Sequence, residues 1–417
     1  MNRRSFLRTS ASITTLGASI TPPFQHSCHA KTRHAVLEKA LAELSETYLT
    51  PQDAFYNVER GTPLPYKLPL KKRTEVGLER ATWQLDILTD PEDEAETGHA
   101  CQLGNPMSKA NGNAFSFTDL MKVAETKAVR FLKLVSCNNL SDPLGMGLWE
   151  GVPLRDVLWQ AKPLANYRSV YYDGYHNDDP KQLFQCWLPA NRVLEDPPGF
   201  LPVILCYKIN GEWLTGERGG PVRMIVPEAY GFKSVKWLQR VVVTNKYQAE
   251  DTYALQNNDV NDNWMKTRAL FETVPDKVAA NAPFPMTGQA QVGIGGLAKV
   301  QWWAQSQSSP WPEDDPYFTK APWKDAEILP FPKPWRGGID TSPLHPIQFD
   351  PDTGEPREWP MRYTRCHWAA LSQGLEPGKY DLRCRSIDLS GNAQPMPRPY
   401  KKSGRSSIDK TEILVEA

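Results

Sequence analysis

Apolar residues recur at helical spacing over residues 34–48 (HAVLEKALAELSETY), which predicts a short amphipathic helix ended by Thr50-Pro51. Beyond it the helical period fades. Residues 55–65 carry prolines and read as an extended segment. Residues 83–88, 129–136, 169–172, 183–188, 203–208, 222–226 and 238–244 are short apolar or alternating runs and read as strands. Residues 116–123 and 152–159 read as short helices between them. Asn210-Gly211 is a hairpin-turn signal. The polar stretch 256–265 (QNNDVNDNWM) breaks the pattern and marks a domain boundary. After it, residues 289–292, 299–304, 363–371 and 379–387 alternate, with Glu376-Pro377-Gly378 as a turn, and predict a β-sandwich. Residues 306–358, laden with Pro and Trp, interrupt that region. Three readings fit this insertion: a wall at an active-site entrance, a dimer contact, or a self-packed loop.

At 417 residues the chain is long enough for two or three domains. Lys+Arg and Asp+Glu both count 48, so the formal net charge is zero and no basic block points to nucleic acid. None of the seven cysteines forms a CxxC pair, which argues against zinc-ribbon and thioredoxin chemistry. No CxxCH occurs, so no haem is expected in this chain. Cys366 and Cys384 lie on neighbouring predicted strands; pairing and two ordinary core thiols are both open, with core thiols favoured.

The N-terminus reads as an address. Arg3-Arg4-Ser5-Phe6-Leu7 is a twin-arginine motif, followed by a mildly apolar stretch over residues 9–20 that is too short and polar to span a membrane. A signal peptide over residues 1–30 and export to the periplasm by the twin-arginine route are expected. That route carries folded proteins, which suits a cofactor inserted before export.

Two stretches carry candidate chemistry. In the first, Phe131-Leu-Lys-Leu-Val-Ser-Cys137 places a thiol directly after a predicted strand, before a loop rich in Asn, Asp, Gly and Pro. Taken alone, Cys137 is either a buried core thiol or a soft ligand for a soft metal. In the second, Arg218-Gly219-Gly220-Pro221-Val222-Arg223 is followed by Tyr230-Gly231-Phe232-Lys233-Ser234-Val235-Lys236-Trp237. This reads as an anion cradle. Glycines let backbone amides approach a ligand, Arg223 offers a planar fork, and residues 231–236 supply two lysines, a hydroxyl and main-chain amides. A solvated basic turn is the plainer reading of residues 233–236.

Cys137 with Trp149-Glu150-Gly151-Val152-Pro153-Leu154, the two cradle segments, and Tyr380 to Pro395 with its Arg383-Cys384-Arg385 and Ser390-Gly391-Asn392 together resemble the sulfite oxidase family of molybdopterin enzymes. The resemblance covers about residues 50–417 with gaps. It implies an α+β protein: a signal peptide over 1–30, an N-terminal helix and linker over 31–50, a sulfite-oxidase-type molybdopterin-binding domain over 51–265, and an immunoglobulin-like β-sandwich over 266–417. It implies a molybdenum-molybdopterin cofactor with Cys137 as the sole protein ligand to the metal. By the match, Arg223, Lys233, Ser234 and Lys236 hold the pterin phosphate. Tyr56 and Asn57 lie in the family's first cofactor-contacting segment, and Arg218 stands where a cofactor-contacting histidine is usual. His176 falls near another cofactor position; a plain loop histidine fits equally.

The departures bear on the substrate. Val58 stands where the family has a substrate arginine, Asn138-Asn139-Leu140 replaces the usual Gly-Asn-Arg after the cysteine, and Phe184 takes the place of an active-site tyrosine. Arg60, Tyr171, Tyr172 or Tyr175 could compensate, so Arg60 and Tyr172 join Cys137 as catalytic candidates. The resemblance implies oxygen-atom transfer at a small-molecule sulfur substrate, sulfite dehydrogenase-like, in a homodimer. Electrons would pass to a separate carrier, a c-type cytochrome or a membrane haem subunit. A periplasmic methionine sulfoxide reductase and a cofactor-free binding protein on the same fold are the alternatives.

Overall fold

A computed structural model describes residues 35–395 and 406–417, apart from 43, 45–47, 165–166, 248–250, 258–259, 261–263, 334, 337–338 and 340–342. The twin-arginine motif, the apolar stretch after it and Cys28 lie outside the described residues. The predicted N-terminal helix appears as Ala35–Ala42.

Ten strands make the first half: β1 (Gln84–Thr89), β2 (Phe115–Ser116), β3 (Val129–Val135), β4 (Gly145–Pro153), β5 (Ser169–Gly174), β6 (Gln185–Pro189), β7 (Ile204–Ile209), β8 (Glu212–Trp213), β9 (Arg223–Ile225) and β10 (Leu238–Thr244). They form two sheets. One runs in the order β2-β1-β10-β5-β6, with β1 and β10 parallel. The other runs β3-β4-β7-β8, with β9 also on β7. One continuous core joins them, drawing Leu85, Ile87, Val241 and Val243 from the first sheet and Phe131, Trp149, Val152 and Leu205 from the second. The helix Phe117–Lys127 starts at a capping box, in which Ser116 and Asp119 satisfy each other's backbone amides.

Residues 145–153, expected as loop and the start of a helix, are a nine-residue strand that is buried throughout. Its glycines misled the pattern. Gly151 is there because a Cβ would lie 2.4 Å from the Leu205 carbonyl oxygen of β7. The helix begins only at Leu154 and ends at Leu158.

The second half is a β-sandwich. Its sheets run β11-β13-β17-β16 and β12-β19-β18-β14-β15, where β11 is Arg268–Thr273, β12 Lys277–Ala279, β13 Phe284–Gln291, β14 Lys299–Ser306, β15 Lys324–Asp325, β16 Glu327–Ile328, β17 Arg365–Ser372, β18 Gly378–Ile387 and β19 Asp409–Glu416. Ala290, Trp368, Trp302, Leu382 and Ile413 pack between them. Cys366 and Cys384 sit on different sheets as separate, buried thiols.

The insertion over 306–358 packs on its own chain. Its Phe331, Trp335 and Phe349, with Trp359 just beyond it, cover Leu132, Leu134, Met146 and Leu148. Strand β3 is therefore buried on both faces: Phe131 and Val135 enter one core, Leu132 and Leu134 the other. β3 is also a sheet edge, and the edge is closed. The Gln348 amide accepts from Leu132 N and donates to Leu132 O, both at 2.8 Å, and His345 N donates to Arg130 O. Lys133 is fully buried; its ammonium donates to Pro227 O and Ala229 O at 2.6 and 3.0 Å, and burial pushes it down to about 7. The strand that delivers Cys137 is thus among the most enclosed parts of the fold.

Candidate active site

Where β3 ends, Cys137 emerges into a cavity. Cys137 is the only described cysteine that is not buried, and its thiol donates to Asn139 Oδ1 at 2.6 Å. The turn over 231–236 hangs on the same strand end, since Gly231 N donates to Ser136 O at 2.7 Å. The cavity is lined by residues of the extended segment (Phe55, Tyr56, Val58, Arg60), of the middle of β4 (Trp149), of the loops next to strand ends (Cys137, His176, Phe184) and of the cradle segments (Arg218, Arg223, Phe232, Ser234, Lys236), with Tyr253. Among the described lining residues there is no carboxylate.

On one side three cations converge. Arg218 donates to Phe55 O at 2.9 Å and pairs with Glu217 at the rim at 3.2 Å. Arg223 donates to Arg218 O and Ser234 O at 2.8 and 2.6 Å. Lys236 donates to Asn57 Oδ1 at 2.7 Å and to Val58 O at 3.3 Å. The Nε groups of Arg218 and Arg223 are buried without a hydrogen-bond partner. Burial, with Arg218 beside it, lowers Arg223 to about 10. Burial, then the fields of Arg223, Arg218 and Arg60, lowers Lys236 to about 6. Gathering like charges out of water is costly. A bound dianion repays that cost and takes up the orphaned Nε–H donors.

The sequence reading of the cradle needs correction in its parts. The glycines serve internal packing, not the approach of a ligand. Gly219 has a left-handed φ of +96°, and a Cβ there would lie 2.7 Å from the Lys236 side chain. The amides of Gly219, Gly220, Gly231, Lys233 and Ser234 all donate to carbonyls of the chain itself. Those five amides are therefore not on offer to an anion, whereas the side chains of Arg218, Arg223 and Lys236 face the cavity. Lys233 does not line the cavity: its ammonium donates to Trp187 O at 2.6 Å and pairs with Asp251 at 2.7 Å, and both partners of that pair are buried. Tyr172 is fully buried off the cavity, its hydroxyl donating to Lys233 O at 2.7 Å, and burial raises it far above the usual phenol range. It props the Lys233 turn.

On the other side stands Arg60. Its guanidinium lies 3.5 Å over the Phe184 ring, near Cys137, Cys186 and Tyr253, and burial lowers it from the usual arginine value. Tyr175 and His176 line the wall, and Tyr56 is exposed at the mouth. Tyr171 is not on the lining; burial raises it to about 12, with Asp90 close by. Tyr253 was not foreseen. It sits on the helix Thr252–Asn257 and stacks on Phe232, centroids 5.0 Å apart and planes 20° apart. Asp251 accepts from Trp187 N at 2.6 Å and Thr252 Oγ1 from Gln185 N at 2.9 Å, so the helix start is riveted to β6. No pattern within residues 251–257 marks these long-range bonds.

Among the described residues no three His, Cys, Asp or Glu side chains converge to hold a metal by themselves. One thiol plus a cationic pocket instead suits a cofactor that brings its own donors and an anionic tail.

Comparisons agree with that chemistry. The family described as "Oxidoreductase molybdopterin binding domain" matches residues 104–252. Mitochondrial sulfite oxidase of Drosophila melanogaster is 29% identical over 240 residues, covering 54% of this chain and 38% of that protein. The NADPH nitrate reductase of Neurospora crassa is 35% identical over 121 residues, 28% of this chain and 12% of that protein. The chain thus spans less than half the length of the curated relatives it matches. The crystal structure of the sulfane dehydrogenase SoxCD from Paracoccus pantotrophus shares the fold, with a TM-score of 0.54 at 17% identity, over 82% of this chain and 79% of that one.

Proposed function

We propose that this chain, which belongs to the sulfite oxidase family of molybdopterin-dependent oxidoreductases, adds an oxygen atom to the sulfur of a small oxyanion in a sulfite dehydrogenase-like reaction. The observation that carries the reading is one cavity that, among the described residues, holds the half-buried thiol of Cys137 beside two buried arginines and the half-buried Lys236, with no lining carboxylate. Cys137 would hold the metal as thiolate, giving up the proton it now shares with Asn139. Arg218, Arg223 and Lys236, with the Ser234 hydroxyl, would hold the phosphate. Lys233 would act from behind, fixing the turn. When bound, the cofactor supplies two-electron redox chemistry and exchange of an oxygen atom with water. Arg60 would hold the anionic substrate beside Cys137, and the aromatic wall would exclude water from the reacting sulfur.

The chain carries no CxxCH, so the electrons would leave to a separate carrier, a c-type cytochrome or a membrane haem subunit. Export by the twin-arginine route to the periplasm and a homodimer complete the reading. The test is steady-state reduction of ferricyanide by the molybdenum-loaded protein with a panel of reduced sulfur oxyanions, sulfite first. Turnover dependent on Cys137 is expected. Silence across the panel from a protein that carries molybdenum would overturn the oxidation.

A further inference from the structure

The Arg60 side of the cavity is built for a particular kind of oxyanion. Among the described residues Arg60 has no hydrogen-bond or ion-pair partner, and its guanidinium rests on Phe184. Stacked Phe232 and Tyr253 stand beside it, with Tyr175 on the same lining. The other three cations are engaged elsewhere: Arg223 and Arg218 with backbone carbonyls, Lys236 with Asn57. A substrate at Cys137 therefore meets one fork of positive charge inside an aromatic enclosure. Such a wall cannot solvate a second negative charge, but it packs well against an apolar or planar substituent.

We infer that the preferred substrate is an organic sulfinate, R–SO2⁻ with an apolar or aryl R, rather than inorganic sulfite. The inference rests on the oxidation reading above. A sulfinate spreads one negative charge over two oxygens, which matches the two parallel N–H donors of a guanidinium. Its R group takes the place among Phe184, Phe232 and Tyr253. Its sulfur lone pair stays available for the new bond. The reaction balances as R–SO2⁻ + H2O → R–SO3⁻ + 2 H⁺ + 2 e⁻. One S–O bond forms, sulfur is oxidised by two electrons, and two equivalents of a one-electron acceptor take them.

The test compares benzenesulfinate with sulfite above neutral pH, where sulfite is a dianion, using cofactor-loaded protein and ferricyanide. A kcat/KM about 10-fold to 100-fold higher for benzenesulfinate is expected, the range a shaped apolar pocket confers. Phe184→Leu and Tyr253→Ala should each lower kcat/KM for benzenesulfinate more than for sulfite, narrowing the ratio between the two substrates. A sulfite kcat/KM equal to or above that of benzenesulfinate would overturn the inference and leave the oxidation reading standing. A second readout needs no turnover: calorimetric binding of the product analogue benzenesulfonate against sulfate. Tighter benzenesulfonate binding, lost in Arg60→Met, is expected. Equal affinities, or binding unaffected by Arg60→Met, would overturn the inference even if neither substrate were oxidised, an outcome that would separately sink the oxidation reading.

Discussion

On one side of the cavity Arg218, Arg223 and Lys236 are packed together against backbone carbonyls with a single rim acid, whereas on the other Arg60 stands alone on an aromatic wall. The first side concentrates charge that only a strongly anionic group can compensate. The second rations charge and surrounds it with rings. On the proposed reading the same side-chain chemistry would serve two purposes: retention of a cofactor where cations cluster, and selection of a passing substrate where one cation is isolated. Cys137 lies in the cavity that holds both.

The largest effect that would break this comparison is at the thiol. Cys137→Ser should lower turnover by at least about 10³-fold, about 4 kcal/mol of transition-state stabilisation, with the melting temperature unchanged. Turnover at the original rate would remove Cys137 from the site.

Next comes the buried pair behind the aromatic side. Lys233→Met leaves the buried Asp251 carboxylate without its ammonium partner, and should cost about 3–5 kcal/mol in denaturant unfolding. Because the pair anchors the start of the helix carrying Tyr253, organic-substrate turnover should fall while molybdenum content per folded chain is kept. Loss of cofactor with unchanged stability would return Lys233 to the phosphate.

Lys236→Met should split stability from retention. It removes a half-buried amine whose protonated form the surrounding guanidinium groups disfavour, so the cofactor-free protein should gain about 1–2 kcal/mol, while affinity for the phosphate group falls about tenfold or more. A loss of stability would mean that Lys236 is structural.

The pH dependence sharpens the same point. In the folded protein burial, then the fields of Arg223, Arg218 and Arg60, lower Lys236 to about 6 from its ordinary value of 10.5. The unfolded chain therefore binds the extra proton between those values, and this group makes the empty protein more stable as pH rises from about 6 toward that ordinary value. A bound dianion favours the charged lysine, so sulfate should bind the cofactor-free protein more tightly as pH falls toward 6, with proton uptake measurable by calorimetry in buffers of different ionisation heat. Affinity independent of pH would place the anion elsewhere.

The smallest effect concerns support. Gln348→Ala strands the Leu132 amide and carbonyl at the edge of β3 and should cost about 1–3 kcal/mol.

What the sequence made legible follows from range. The apolar run before Cys137 and the alternation over 379–387 are local patterns, and both became strands. The cations of the cradle lie within nineteen residues of one another, from Arg218 to Lys236, and three of the four converge. Long-range bonds stayed hidden. Nothing near Lys233 announces Asp251, and nothing near residue 253 announces Phe232 as its stacking partner. The strand over 145–153 was masked by glycines whose reason lies on β7. The insertion's role in closing β3 depends on one glutamine 216 positions away from Leu132.

Molybdenum X-ray absorption on the purified protein, original and Cys137→Ser, tests the central claim most directly. The account predicts molybdenum in both, with one sulfur fewer around the metal in the variant. An identical sulfur shell in the two proteins, or no molybdenum in the original after expression in a cofactor-making host, would contradict it.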